Sequence, residues 1–88
     1  SGIQPPRPLT HDLLRNTITQ LNAKLSKVVI NKLEFNTFFA KLVLETKDGA
    51  VEEVDARPSD SIAVALRADA PIFVAEDVLN QVASSYGL

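Results

Sequence analysis

A proline stands between a strand-like run and a helix-like run at Asp55-Ala56-Arg57-Pro58-Ser59-Asp60, and no other stretch constrains the fold of this chain so tightly. Pro58 drives Arg57 towards an extended conformation and is itself suited to a first helical turn. Upstream, Val51-Glu52-Glu53-Val54 alternates like a strand. Downstream, Ser61-Ile62-Ala63-Val64-Ala65-Leu66-Arg67 is an apolar, Ala-rich block that reads as a helix. Ser59 is the expected N-cap, and Asp60 falls where the helix dipole favours a carboxylate. Asp55, Asp60 and Arg57 are thereby expected to converge at one strand-to-helix turn, a geometry that offers backbone N–H groups to anions.

The rest of the chain alternates helix and strand signals. Ser1 to Pro8 is a proline-rich, extended lead-in. Thr10 is a good N-cap with Asp12 in the first turn. Leu13, Leu14, Thr17, Ile18 and Leu21 then recur at helical spacing, and Asn22 ends the helix. Lys27 to Leu33 is rich in β-branched residues and predicts a strand, Glu34-Phe35-Asn36 turns it, and Thr37 to Glu45 returns. In the returning strand Phe38, Ala40, Leu42 and Leu44 share one face, while Phe39, Lys41, Val43 and Glu45 share a half-apolar other face. Lys47-Asp48-Gly49 is a hairpin signal, and Val51 to Asp55 is the third strand. Ile62 to Leu66 lacks a polar face, which predicts a helix buried between the sheet and a further layer. Ile72-Phe73-Val74 is a short apolar strand, and Ala75-Glu76-Asp77 opens a last helix with Val78, Leu79 and Val82 inward. Ser84 to Leu88 is expected to fray. The order α-β-β-β-α-β-α specifies an α+β class, an antiparallel β-meander with helices packed on it, as a single domain over residues 1–88.

Composition mainly excludes. A chain of 88 residues makes one domain and buries only about two-thirds of its unfolded surface, so assembly with copies of itself would add stability. Without cysteine there is neither a disulfide framework nor a thiolate metal site, and a cytoplasmic location is expected. No apolar run approaches the roughly 20 residues of a membrane span, so no membrane is expected as a partner. The net charge of −2 hides an asymmetry. Residues 1–44 carry six Lys/Arg against two acids (+4), and residues 45–88 carry three against nine (−6). A basic half suits phosphate and an acidic half suits a metal ion, unless folding mixes the two over one surface.

His11, the only histidine, falls in the first turn of the first helix. There it can act as general acid/base, metal ligand or phosphate contact, or simply pack against the lead-in. Asp55 and Asp60 can hold Mg²⁺ or Mn²⁺ between them, with waters completing the shell and one of these activated towards a phosphodiester. Arg57 can add a bidentate contact to a phosphate oxygen. The same residues also compose a purely structural network. In it Asp55 accepts backbone N–H bonds at the helix start, Asp60 complements the dipole, and Arg57 pairs with one of them. Arg7 and Arg67 read as inter-element salt bridges. Phe35, Phe38, Phe39 and Phe73 can in principle stack bases, but their alternation with Ala40, Leu42 and Leu44 assigns them to the core. Only Lys41 interleaves with them along the chain.

Asp55-Ala-Arg-Pro-Ser-Asp60, followed by Ile62-Ala-Val-Ala-Leu-Arg67 and then Ala70-Pro-Ile-Phe-Val-Ala-Glu76, resembles the bifunctional nuclease domain family. Pro5-Pro-Arg-Pro-Leu-Thr-His-Asp12 matches that family's upstream motif at a suitable distance. Two motifs at this spacing make the resemblance specific, and it covers nearly the whole chain. Domains of the family usually carry further strands ahead of the Pro-Pro-Arg-Pro segment, so the chain resembles the C-terminal part of such a domain. The resemblance implies an enzyme that cleaves RNA and DNA phosphodiesters with a divalent metal. Under that reading the residues expected to carry the chemistry are His11 as acid/base, Asp55 and Asp60 as metal or water-positioning carboxylates, and Arg57 on the phosphate. The competing expectation is a non-catalytic homo-oligomer. Its interface would use the Phe39-Lys41-Val43 side of the second strand and the all-apolar second helix.

Overall fold

The computed structural model describes residue 7 and residues 9–85, so the lead-in (Arg7 apart) and the last three residues of the expected tail lie outside it. Seven elements follow in the expected order: α1 (Thr10–Gln20), β1 (Lys24–Glu34), β2 (Thr37–Glu45), β3 (Val51–Ala56), α2 (Pro58–Ala68), β4 (Ile72–Val74) and α3 (Glu76–Ser85). The strands form one sheet in the order β3-β2-β1-β4. The β1–β2 and β2–β3 pairs are antiparallel, which is the expected meander. β4 joins the outer side of β1 in parallel, with Ile72, Phe73 and Val74 opposite Val28, Val29 and Ile30. The sheet is therefore mixed rather than purely antiparallel. Placing a helix between β3 and β4 makes that connection a crossover, which returns the chain in the direction it left. Bonds from Val28 N–H to Pro71 O (3.0 Å) and from Ala75 N–H to Ile30 O (2.9 Å) extend the short β4 ladder at both ends.

The turns follow from the dihedral angles their residues accept. Phe35 and Asn36 join β1 to β2 with φ of 51° and 62°, the mirror-image turn whose twist matches a two-residue hairpin. Asparagine tolerates this region; phenylalanine does so at a cost of about 1 kcal/mol. Asn22 (φ 61°) ends α1 as expected, with Ala23 N–H bonding Ile18 O at 3.1 Å.

Both predicted N-caps move by one or two residues. Leu9, not Thr10, caps α1, and Asp12 accepts the Leu9 N–H at 3.2 Å. Arg57, not Ser59, caps α2, because Pro58 takes the first helical position, where its missing N–H costs nothing.

The core gathers Leu25 and Val28 of β1, Leu42 of β2, and Val64 and Ala65 of α2. Around them pack Leu44, Ala56, Ala68 and Ala70. α1 packs on α2, α2 lies against β1 and β2, and α3 lies against β1, where Val82 lines one hollow with Leu33 and Phe38, so the helices share one face of the sheet. No described helix covers the other face, which carries Lys27, Val29, Asn31, Lys41, Val43, Val51 and Glu53.

This one-sided arrangement overturns three burial expectations. α2 buries Ser61, Val64 and Ala65 but leaves Leu66 72% exposed, because no further layer covers its outer side among the described residues. Val78 is buried while Leu79 is exposed, since neighbours on a helix point about 100° apart and only one can face the sheet. Phe35, Phe38 and Phe73 are all exposed instead of forming an aromatic core. No described helix is long and apolar enough to cross a membrane.

Candidate functional site

The first turns of α1 and α2 lie side by side, and one carboxylate joins them. His11 Nε2 and Asp60 Oδ1 are 3.0 Å apart, although 49 residues separate them in sequence. The other oxygen of Asp60 accepts Arg57 Nε–H, also at 3.0 Å. The hydrogen bond from His11 and then that from Arg57 hold the Asp60 carboxyl below its usual range, against a smaller opposing effect of desolvation. An ionised Asp60 can only accept, so Nε2 carries the proton of this bond. Nδ1 is then the ring nitrogen outside this bond. His11 and Asp60 are about one-third exposed, and the Arg57 side chain is 80% exposed. Among the described residues the hydrogen bond of that guanidinium runs through Nε, and its largely exposed terminal nitrogens keep donors for a ligand.

Behind the dyad a second set of contacts keeps the helices in register. Ser61 is fully buried, and both its N–H and its hydroxyl donate to Arg57 O at 3.0 Å. Arg67 Nε–H donates to Asp12 Oδ1 at 2.6 Å and Nη1–H to Ala63 O at 2.9 Å. Arg15 Nη1–H reaches Arg67 O at 3.3 Å. The bond from Arg67 lowers the Asp12 carboxyl in the same way. Asp12 thus ties α2 and the Leu9 amide to the turn that carries His11.

The structure brings together His11, Arg57 and Asp60 and leaves Asp55 apart. Asp55 lies opposite Lys41 on β3, between Val54, which faces Leu42, and Ala56, which packs on the core. Strand alternation sends it to the uncovered face of the sheet, whereas Asp60 belongs to the helix layer. The convergence of two carboxylates expected at this turn does not occur. Nor do the described residues fit a resident Mg²⁺ or Mn²⁺. Both Asp60 oxygens already have partners, and no group of three or more His, Cys, Asp or Glu gathers among the described residues. Arg67 makes the inter-element salt bridge expected of it. Sequence reasoning missed Asp12 and Ser61 as site supports. Ser61 had one readable signal, its position four residues after a cap, from which a hydroxyl can bond back to the cap carbonyl. For the Asp12–Arg67 pairing a bridge from Arg67 was expected, but nothing along the chain marked Asp12 as its partner.

A histidine oriented by a carboxylate, next to an exposed guanidinium and two helix N-termini, can bind a phosphate and move a proton beside it. A family model described as "Bifunctional nuclease domain" matches residues 1–86. Two uncharacterised proteins, from two strains of Mycobacterium tuberculosis, are each 49% identical over 80 residues, covering 91% of this chain. The match takes in 46% of either relative, so the chain spans about half the length of the curated relatives it matches.

Proposed function

The chain belongs to the bifunctional nuclease domain family, and from that premise we propose that it hydrolyses phosphodiesters of nucleic acid at the His11–Asp60–Arg57 cluster. The observation that carries the reading is the 3.0 Å contact between His11 and Asp60, with Arg57 on the second carboxylate oxygen. Asp60 holds the ring in the tautomer with Nε2 protonated, which leaves Nδ1 as the base. Water loses its proton to Nδ1 as its oxygen bonds to phosphorus, the P–O ester bond breaks, and the same proton passes on to the leaving oxygen. Arg57 and the paired helix starts stabilise the charge that builds on the non-bridging oxygens. No step here requires a metal ion. The proposed location is the cytoplasm.

The test is cleavage of labelled single-stranded RNA and DNA by the whole chain, in EDTA and in added Mg²⁺ or Mn²⁺. His11→Ala should lower the rate about 10²–10⁴-fold, the usual contribution of a positioned acid/base, with unchanged melting. An inactive parent, or a His11→Ala variant as fast as the parent, would sink the hydrolytic reading. Activity abolished by EDTA and restored by Mn²⁺ would return the metal expectation to the site.

A second reading has its own support. Ile62 and Leu66 on α2, and Leu9 and Leu13 at the start of α1, are exposed apolar pairs at four-residue spacing. A second copy covering them would make the domain a homo-oligomer, either with or without catalysis. Sedimentation of the parent and of Leu66→Lys decides it. A dimer lost in the variant supports the assembly, and a monomeric parent removes it.

A further inference from the structure

We propose that the uncovered face of the sheet is a binding track for single-stranded nucleic acid, on which Phe73 and Phe39 stack bases and Lys27 and Lys41 meet phosphates. The inference rests on the preceding reading for its substrate but concerns a different surface. Register puts these residues on one face. Phe73 lies opposite Val29 in the β1–β4 pair, and Val29 lies opposite Lys41 in the β1–β2 pair. Lys27 lies opposite Val43, and Phe39 lies opposite Lys32. Cations and rings that are scattered along the chain therefore interleave in space. Lys27 Nζ stands 5.8 Å from the centroid of Phe73, and Lys32 Nζ stands 5.5 Å from that of Phe39.

A lysine over a phenyl ring is a weak, partly solvated contact on a flexible stem. A base has a π-face of its own and competes for the Phe73 ring, and the displaced Lys27 ammonium swings to the phosphate of the same nucleotide. Phe73 is 52% exposed on the edge strand, which leaves room for this exchange. The two rings sit on strands separated by β1, about 10 Å apart across the sheet, so each takes a different base. Bases already stacked in a duplex cannot use such rings, hence the preference for a single strand. The acids on this face define its limits. Glu53 and Asp55 occupy the β3 side, and Lys32 is paired with Glu34 at 3.0 Å. The track therefore runs over β4, β1 and β2 and turns away from β3.

The experiment is fluorescence anisotropy of labelled oligothymidylate and of a matched duplex with His11→Ala, Phe73→Ala, the Lys27→Met/Lys41→Met double variant and the Lys47→Met control. The parent and His11→Ala should bind the single strand more tightly than the duplex. Phe73→Ala should weaken binding roughly 5- to 100-fold, the range of one base–aromatic stack. The lysine double variant should flatten the slope of log affinity against log salt by about 1.4, two phosphates' worth for single strands. Lys47→Met should change neither. Should Phe73→Ala fail to fold by circular dichroism, Phe73→Leu keeps the bulk and loses the ring face, with the same expected direction. No single-strand binding by the parent, or binding indifferent to Phe73, Lys27 and Lys41, overturns the track. A dimer that these substitutions dissociate overturns it in favour of a second copy on the same face. A parent that binds but does not cleave spares the track and removes the hydrolytic reading; cleavage indifferent to these variants does the reverse.

Discussion

The two faces of the sheet are made by the same strands and do opposite work. On β2, Leu42 is buried against α2, and its neighbour Lys41 stands on the face that no described helix covers. On β1, Val28 is fully buried and Lys27 is exposed over Phe73. One alternation therefore divides a single hairpin into a fold determinant and a face of lysines and rings set around the buried Val43. Burial on one side supplies the stability that lets the other side carry lysines and rings that contribute little to folding.

Neighbouring substitutions on β2 test this contrast most strongly. Leu42→Ala should cost about 2–5 kcal/mol in chemical denaturation, since it empties the middle of the core. Lys41→Ala should stay within about 0.5 kcal/mol of the parent. Equal losses from both would mean that the uncovered face is packed in solution. A smaller effect is expected at the hairpin that joins the two faces. Phe35→Asn should raise stability by about 0.5–1 kcal/mol, because asparagine accepts the left-handed region that the almost fully exposed phenylalanine now occupies. A loss there would show that the ring makes a contact that repays its backbone.

The smallest effect is expected at the helix layer and appears in acid. The folded state holds Asp60 and Asp12 below the usual carboxylate range, so their stabilisation is complete above that range and is lost as pH falls through the lowered values. Asp60→Asn should therefore flatten the acid limb of a stability–pH curve and leave the plateau near neutrality only slightly lower, as befits partly exposed pairs. An unchanged acid limb would show that the Asp60 contacts do not persist in solution.

Much of this arrangement was legible along the chain wherever the signal was local. The bounds of β2, the turn at Gly49, the α2 start beside Pro58 and the stop at Asn22 follow from alternation, positive φ and proline geometry over a few residues. Arg57 as the cap was available from the same logic, because the residue before a proline at the first helical position is extended. The site was half legible. Arg57 and Asp60 are three apart on one turn, and their pairing was one of the expected outcomes. His11 arrives from 49 residues away only because α1 packs on α2. Asp55 was expected beside Asp60, but it lies opposite Lys41 on β3, because a linear spacing of five residues says nothing about the side of the sheet to which a strand residue points.

The amino-acid order alone determined the element types, their succession and the chemistry of the Pro58 turn, since each is decided by dihedral preferences and spacing within a few residues. Tertiary structure decided that β4 runs parallel to β1, that the helices gather on one side, and that phenylalanines expected inside lie beside lysines outside. Those outcomes depend on which surfaces find a partner, and a three-residue strand or an apolar helix carries no mark of the partner that will bury it.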